Sequence, residues 1–280
     1  MFYLLKSFIQ MKILLNNNDL NEALVNVSNL GFVPTMGSLH KGHISLIKFS
    51  KKLCKKTLVS IFVNPTQFNN KRDFINYPRD NNKDLFILKK LKVNFVYLPT
   101  HDQIYHSKRL RKIKISNNDK ILCAKFRKGH FEGVLDVMDR LTKIIKPKKI
   151  FMGEKDYQQL ILVKKFIKKK HNSNVIACKT VRNSNKLALS SRNILLNSQE
   201  LKVASKIAQN LSYFKKKLKK IKDIQNLLNE KKNELNNTFN VRVEYLELRN
   251  SINLKKANKI KNSRIFISYY LNKVRLIDNY

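Results

Sequence analysis

The sequence predicts an α/β protein: a doubly wound parallel sheet over residues 1–181, followed by a smaller α+β domain over residues 182–280. Three observations predict it. Short apolar runs bounded by turn residues alternate with helix-periodic segments over about 180 residues, the rhythm of strand–helix units. Residues 57–63 (TLVSIFV) are apolar nearly throughout, as a strand covered on both faces must be. Beyond Val181 helical segments come first and strands after, the order of a separate α+β unit.

The chain opens on MFYLLKSFIQMKILL. Lys6, Gln10 and Lys12 interrupt this apolar stretch and no small-residue cleavage site follows, so it reads as an early strand or helix, not a signal peptide. A polar stretch at 16–21 leads into a short helical segment. Residues 31–35 (GFVPT) read as a buried strand and 36–39 as a turn whose glycine lets the backbone pass close to a neighbour. From Gly42, Ile44, Leu46, Ile47, Phe49 and Leu53 recur at mixed helical spacings that suit a largely buried helix. After the strand at 57–63, proline keeps the loop at 64–68 (NPTQF) out of the sheet. A polar segment leads to Tyr77-Pro78-Arg79-Asp80, where a helix starts and runs to about 91, and 93–98 is a strand stopped by Pro99. Residues 104–116 read as a connection plus a short strand. A helix at 131–145, a strand at 148–152, a helix at about 156–169 and a strand at 174–178 complete the first domain. Then come a polar loop at 183–192, two lysine-rich helices within 198–236, and strands at 241–248, 264–271 and 273–277. The first domain is therefore Rossmann-like, with ligands expected beyond the carboxyl ends of its strands.

With 58 Lys+Arg against 19 Asp+Glu, the formal net charge is +39. Such a charge first suggests a nucleic-acid or anionic-surface partner. The lysines, however, are spread along the chain rather than gathered into a stripe, and no nucleic-acid-binding motif is present. Asparagine, isoleucine and phenylalanine are plentiful while Gly (6), Pro (5) and Trp (0) are scarce. That is the profile of A/T-rich codons, so no specific nucleic acid is expected, although the charge still attracts anionic small molecules. Three cysteines, an odd number without CxxC spacing, suit a reducing cytoplasm. No apolar run reaches the roughly 18 residues that would span a membrane, so no membrane partner is expected.

The polar residues that carry chemistry follow strand ends. His40 and His43, with Gly42 between them, stand at the start of a helix after a strand and a glycine turn. In that layout free amide hydrogens face a bound anion. Two isolated histidines are more often a loop residue beside a helix cap. A zinc pair is another reading, but Cys54 is the only soft ligand nearby and no second ligand pair follows. Their place at the end of the first clear strand favours a phosphate site, where imidazoles and the helix start stabilise developing charge. Gln67 follows the next strand; at a cleft mouth its amide can donate and accept, elsewhere it is ordinary surface. Gly153-Glu154-Lys155-Asp156, with Gln158 and Gln159 after it, is either a simple cap or a cation for phosphate, an acceptor for hydroxyls and a substrate amide. Leu189-Ser190-Ser191-Arg192 is either a serine-rich linker or two hydroxyls and a guanidinium that wrap phosphates.

Taken in order from about Gly31 to Asn279, the stretches VPTMGSLHKGH, SIFVNPTQF, YPRD, RKGHFEGV, GEKDYQQL, LALSSRN and RLIDN resemble the pantothenate synthetase (pantoate–β-alanine ligase) family of the HIGH-type nucleotidyltransferase superfamily. HxGH alone is shared across that superfamily; VPTMG, NPTQF, GEKDYQQ and LALSSRN together are specific to this family. The resemblance implies an ATP-dependent condensation of (R)-pantoate with β-alanine through a pantoyl adenylate. By position it implies that Met36, Gly37, Ser38, Leu39, His40, Lys41, Gly42 and His43 hold ATP, with His40 and His43 catalytic. Gly153, Glu154, Lys155 and Asp156 would meet ribose and α-phosphate, Val181 the adenine, and Leu189, Ser190, Ser191 and Arg192 the outer phosphates. Gln67, Gln159, Arg127 and His130 would serve pantoate, Gln67 also β-alanine. The implied architecture is a homodimer through the first domain, with the second as a lid. No resident metal is expected; Mg²⁺ would arrive with ATP.

The chain departs from the family where LEGxxRPGHF is Leu122-Cys123-Ala124-Lys125-Phe126-Arg127-Lys128-Gly129-His130-Phe131, and where DG is Asn185-Lys186. The connection at 105–113 also looks shortened. Two alternatives stand beside this reading. One is another HIGH-type adenylyltransferase acting on a phosphorylated cofactor precursor, which leaves both glutamines unexplained. The other is a nucleic-acid-binding protein, which rests on charge alone.

Overall fold

Residues 10–106, 113–218 and 224–280 are described in the computed structural model; the start of the chain and residues 107–112, inside the segment 104–116 read as a connection plus a short strand, lie outside them. Strand β1 (Lys12–Leu14) is followed by helix α1 (Asn17–Leu24), capped by Asn16, whose side chain accepts from the Asp19 amide. Strand β2 (Leu30–Thr35), helix α2 (Lys41–Leu53) and strand β3 (Lys56–Ile61) follow as expected, with Phe62 and Val63 past the end of β3. The polar segment beyond contains a helix the sequence did not announce, α3 (Lys71–Ile75), started by an Asn70 cap. Asp80 then caps α4 (Asn81–Lys90). Strand β4 (Phe95–Tyr97) leads to α5 (His101–Tyr105), where Thr100 and Gln103 form a capping box in place of a plain connection. Residues 113–116 form no strand. Then come α6 (Cys123–Phe126), α7 (His130–Ile145), β5 (Lys149–Gly153), α8 (Tyr157–Lys170) and β6 (Asn174–Cys178). The last part holds α9 (Ser198–Lys217), α10 (Ile224–Phe239), β7 (Arg242–Asn250), β8 (Ser263–Leu271) and β9 (Val274–Asn279).

The first six strands form one parallel sheet in the order β1-β4-β3-β2-β5-β6. Successive strand residues serve opposite faces, because side chains alternate along a strand. Phe32, Leu58 and Ile150 enter the core shared with α1, α7 and α8, while their neighbours Val33, Val59 and Phe151 enter the core on the α2 and α4 side. Both faces are thus covered, which is why these strands read as unbroken apolar runs. Only Leu46, Ile47 and Ser50 of α2 are buried, so the helix expected to be largely buried is buried along one stripe, with Phe49 37% exposed.

From β2 the chain winds outward through β3 and β4, then returns to place β5 on the other side of β2. The strand order therefore reverses between β2 and β5, and a crevice opens where their carboxyl ends, Thr35 and Gly153, diverge. The antiparallel sheet β7-β8-β9 stacks on α9 and α10 through Ile207, Leu211, Leu228, Leu235 and Ile265. Its Tyr245 and Phe266 join the core of the first sheet instead. Among the described residues no helix is long and apolar enough to cross a membrane.

Candidate active site

The crevice holds a cavity of about 240 Å³, lined by Met36, His40, Gly42 and His43 after β2, Gln67 after β3, and Gly153, Lys155, Asp156 and Gln159 after β5. Arg127, His130, Ser190, Ser191 and Arg192 complete the polar part of the wall, Val181 and Leu189 line it beside them, and Phe62, Val134, Val137, Met138 and Leu141 make it apolar on one side. Arg127, Lys155, Asp156, Ser190 and Arg192 also line a larger cleft of about 900 Å³ that runs on toward the second sheet. The structure thus gathers sixteen of the residues expected at the site, although they come from stretches far apart in the chain. Gly37, Ser38, Leu39, Lys41 and Glu154 do not line the cavity. Lys41 is exposed, and the Glu154 carboxylate turns to Arg264 at 3.0 Å.

The glycine turn has a reason the sequence did not reveal. Gly37 (φ +79°) and Ser38 (φ +52°) are consecutive left-handed residues, and a Cβ on Gly37 would sit 2.9 Å from Asp84 Oδ2. The neighbour that needs the glycine is this buried carboxylate. Its two oxygens accept from the amides of Ser38 and Leu39, each at 2.7 Å. Gly37 donates its amide to Thr35 Oγ1, His40 to His43 Nδ1, and Gly42 to His40 Nδ1. These amide hydrogens are therefore not free to face an anion, as the sequence suggested; an anion here meets side chains and the helix dipole. Gly42 also makes room for the His40 ring, whose Cε1 would lie 2.6 Å from an added Cβ.

Those bonds fix the state of both histidines. Each Nδ1 accepts an amide hydrogen, at 3.0 Å for His40 and 3.3 Å for His43, so each ring carries its proton on Nε2. Burial and nearby Lys155 push His40 down to about 4; burial, His40 and Lys155 push His43 down to about 3. The rings, with centroids 4.1 Å apart, thus enter as neutral N–H donors.

The other polar groups of the wall are held as firmly. Asn64 orients Gln67, donating to its Oε1 at 3.2 Å, while Gln67 Nε2 lies 2.8 Å from Met36 Sδ. His130 Nδ1 donates to the Gln67 carbonyl at 2.7 Å, and Arg127 donates to His130 Nε2 at 3.0 Å. Burial and Arg127 lower His130 to about 3, consistent with a neutral ring. Both His130 nitrogens are engaged within the protein, on Gln67 and Arg127, while the ring also lines the cavity. Of the glutamine pair, Gln158 is structural, donating to the carbonyls of Asp119 and Ile121, and Gln159 faces the cavity.

The second sheet closes the frame through the RLIDN stretch. Asp278 binds Arg182 through two bonds of 2.7 and 2.8 Å, and Asn279 donates to the carbonyls of Glu154 and Lys155. Arg192 rests on Asp73 of α3 at 2.8 Å and over the Tyr77 ring. Asp84, Asn64 and Asn279 escaped the sequence reading of the site. Asp84 and Asn64 lie in quoted or adjoining stretches, but nothing in their spacing announced whom they touch.

Comparison with known proteins gives a consistent result. The Pantoate-beta-alanine ligase family profile matches residues 11–280. A pantothenate synthetase of Azobacteroides pseudotrichonymphae genomovar. CFP2 is 40% identical over 270 residues, 93% of this chain and 96% of that protein. One from Francisella tularensis subsp. tularensis is 40% identical over 268 residues, 94% of this chain and 93% of that protein. Among solved structures, the Francisella tularensis pantoate-beta-alanine ligase complexed with beta-gamma ATP and beta-alanine matches with a TM-score of 0.83, 39% identity and 97% of each chain covered. Pantothenate synthetase from Thermus thermophilus matches with a TM-score of 0.90 at 29% identity, covering 96% of this chain and 99% of that one. With its fold, its cavity and these relatives in agreement, the chain belongs to the pantoate-beta-alanine ligase family.

Proposed function

We propose that this chain condenses (R)-pantoate with β-alanine, converting ATP to AMP and pyrophosphate. A pantoate carboxylate oxygen attacks the α-phosphorus of ATP and pyrophosphate leaves, giving pantoyl adenylate. The β-alanine amine then attacks the acyl carbon, loses a proton, and AMP departs with the oxygen that pantoate supplied. The observation that carries this reading is one cavity lined by two neutral histidine donors, Lys155, two substrate-side glutamines and an apolar wall. The Nε2–H groups of His40 and His43 and the Lys155 ammonium stabilise charge on the phosphates, and no protein nucleophile is required. Gln67 and Gln159 take the polar groups of pantoate and Gln67 also meets β-alanine, while Val137, Met138 and Leu141 face its hydrocarbon part. Gly153 and Asp156 serve ribose and α-phosphate, Val181 adenine, and Ser190 and Arg192 the outer phosphates, while the Ser191 hydroxyl donates to the Ser38 carbonyl. Mg²⁺ arrives on ATP; Asp156 is the carboxylate that lines the cavity beside that path.

Residues 1–181 form the nucleotide- and pantoate-binding domain in this reading, and 182–280 the lid. The chain works as a homodimer through its first domain, a reading supported by exposed Ile13 in the edge strand β1 and exposed Leu15 just after it. The reaction is tested by ATP–pyrophosphate exchange. Exchange that requires pantoate supports the reading; exchange driven by a phosphorylated precursor, with none from pantoate, replaces it with the adenylyltransferase alternative.

A further inference from the structure

The 38–39 peptide is held at both ends. Its N–H, that of Leu39, donates to Asp84 Oδ1 at 2.7 Å, and its carbonyl, that of Ser38, accepts from Ser191 Oγ at 3.1 Å. The preceding peptide is held too, through the Ser38 amide on Asp84 Oδ2. Asp84 lies on α4, is 1% exposed, and does not line the cavity. Ser191 comes from the loop that carries Ser190 and Arg192 into the cavity. Immediately after this turn the chain enters α2, with His40 as its N-cap and Lys41, Gly42 and His43 as its first residues.

A buried carboxylate at this point needs a reason. Burial raises its pKa above the usual carboxylate value, and the amides of Leu39 and Ser38 offset only part of that by favouring the charged form. Gly37 and Ser38, both left-handed, form an amide concavity of the kind that receives an anion. Here the anion is a side chain, the Asp84 carboxylate, which takes the Ser38 and Leu39 amides and so sets the position of the backbone.

We propose that Asp84 is a positioning residue for the adenylation step: with Ser191 it clamps the 37–39 turn, so that the Nε2–H donors of His40 and His43 point at the phosphates once the 189–192 loop is in place. The inference rests on the function proposed above. A misplacement of about 1 Å in such donors costs on the order of 10²-fold in rate. The pantoate wall of Val137, Met138 and Gln159 comes from α7 and α8, elements the clamp does not touch.

The test combines Asp84→Asn with Ser191→Ala. The asparagine is nearly isosteric but presents an amide donor to one of two amide donors, and the alanine removes only a hydroxyl. Pantoate-dependent ATP–pyrophosphate exchange should fall about 10- to 100-fold in kcat for Asp84→Asn, with KM for pantoate changed less than threefold. ¹⁵N spectra of the imidazoles should show the single Nε2–H tautomer of His40 and His43 giving way to a mixture. Ser191→Ala should move the same two readouts in the same direction by less, and the double variant should lose less than the product of the two. Wild-type kcat and unchanged imidazole spectra in a folded Asp84→Asn protein would overturn the proposal. So would equal losses in kcat and pantoate affinity with the tautomers intact, which indicate general damage. If wild-type protein shows no pantoate-dependent exchange, the functional reading fails; the imidazole spectra still decide the clamp, because they need no turnover.

Discussion

His40 holds two jobs on opposite sides of one ring, and they can be separated. Nδ1 caps α2 by accepting the Gly42 amide at 3.0 Å, and Nε2–H is the donor assigned to the phosphates. Asparagine places an acceptor near Nδ1 and nothing near Nε2. Glutamine does the reverse, carrying an amide N–H to the Nε2 position. His40→Asn should therefore keep the cap, since asparagine is among the best N-cap residues, and melt within about 1 °C of wild type. Its exchange kcat should fall about 10²- to 10³-fold, the usual cost of one donor aimed at developing charge. His40→Gln should lose about 1 kcal/mol of cap stability, a drop of about 2 °C in Tm for a chain this long, and retain more activity than the asparagine variant. The assays are thermal unfolding and pantoate-dependent ATP–pyrophosphate exchange on the same preparations. If both variants lose the same activity and the same stability, the two nitrogens do not have separate roles and the argument fails.

Other expectations follow from the same geometry. Gly37→Ala forces a side chain onto a φ of +79° and against Asp84 Oδ2 at 2.9 Å, so it should cost about 1–3 kcal/mol in denaturant unfolding. Arg182→Ala leaves Asp278, 7% exposed, without its bidentate partner and should destabilise by about 3 kcal/mol, visible as a lower denaturation midpoint. His40, His43 and His130 are lowered to about 4, about 3 and about 3 from an ordinary 6.5, chiefly by burial. Unfolding therefore takes up protons between those values and 6.5. Above about pH 6.5 their neutral state does not oppose folding, and stability falls as pH drops below it, with about three protons taken up by these histidines on unfolding at pH 5. Calorimetric unfolding in buffers of different ionisation enthalpy measures that uptake; none at pH 5 would mean the rings are charged in the folded protein.

Much of this was legible in the residues. The strand at 31–35 and the helix after it could be read because apolar spacing is a local signal, and the site residues because they follow strand ends in order. What stayed hidden depends on contacts distant in sequence. Gly37 announced a close approach but not to what, since Asp84 lies 46 residues beyond Ser38 and its place inside a polar helix start reads as solvent-facing. The helix-start amides looked free because the side chains that occupy them, Asp84, His40 and His43, are invisible to a backbone pattern. Glu154 sat in the right motif and turned to Arg264, 110 residues away, which no spacing could show. Helix α3 was missed because its five residues are too few for a periodic stripe and none is buried.

The central claim is that pantoate oxygen attacks the α-phosphorus. The most direct measurement is one complete reaction with pantoate labelled by ¹⁸O in its carboxylate, followed by mass spectrometry of the products. One ¹⁸O atom in the phosphate of AMP, and none in pyrophosphate, is the result the account predicts. Label in orthophosphate with ADP formed, or no label in any phosphate product, would contradict it.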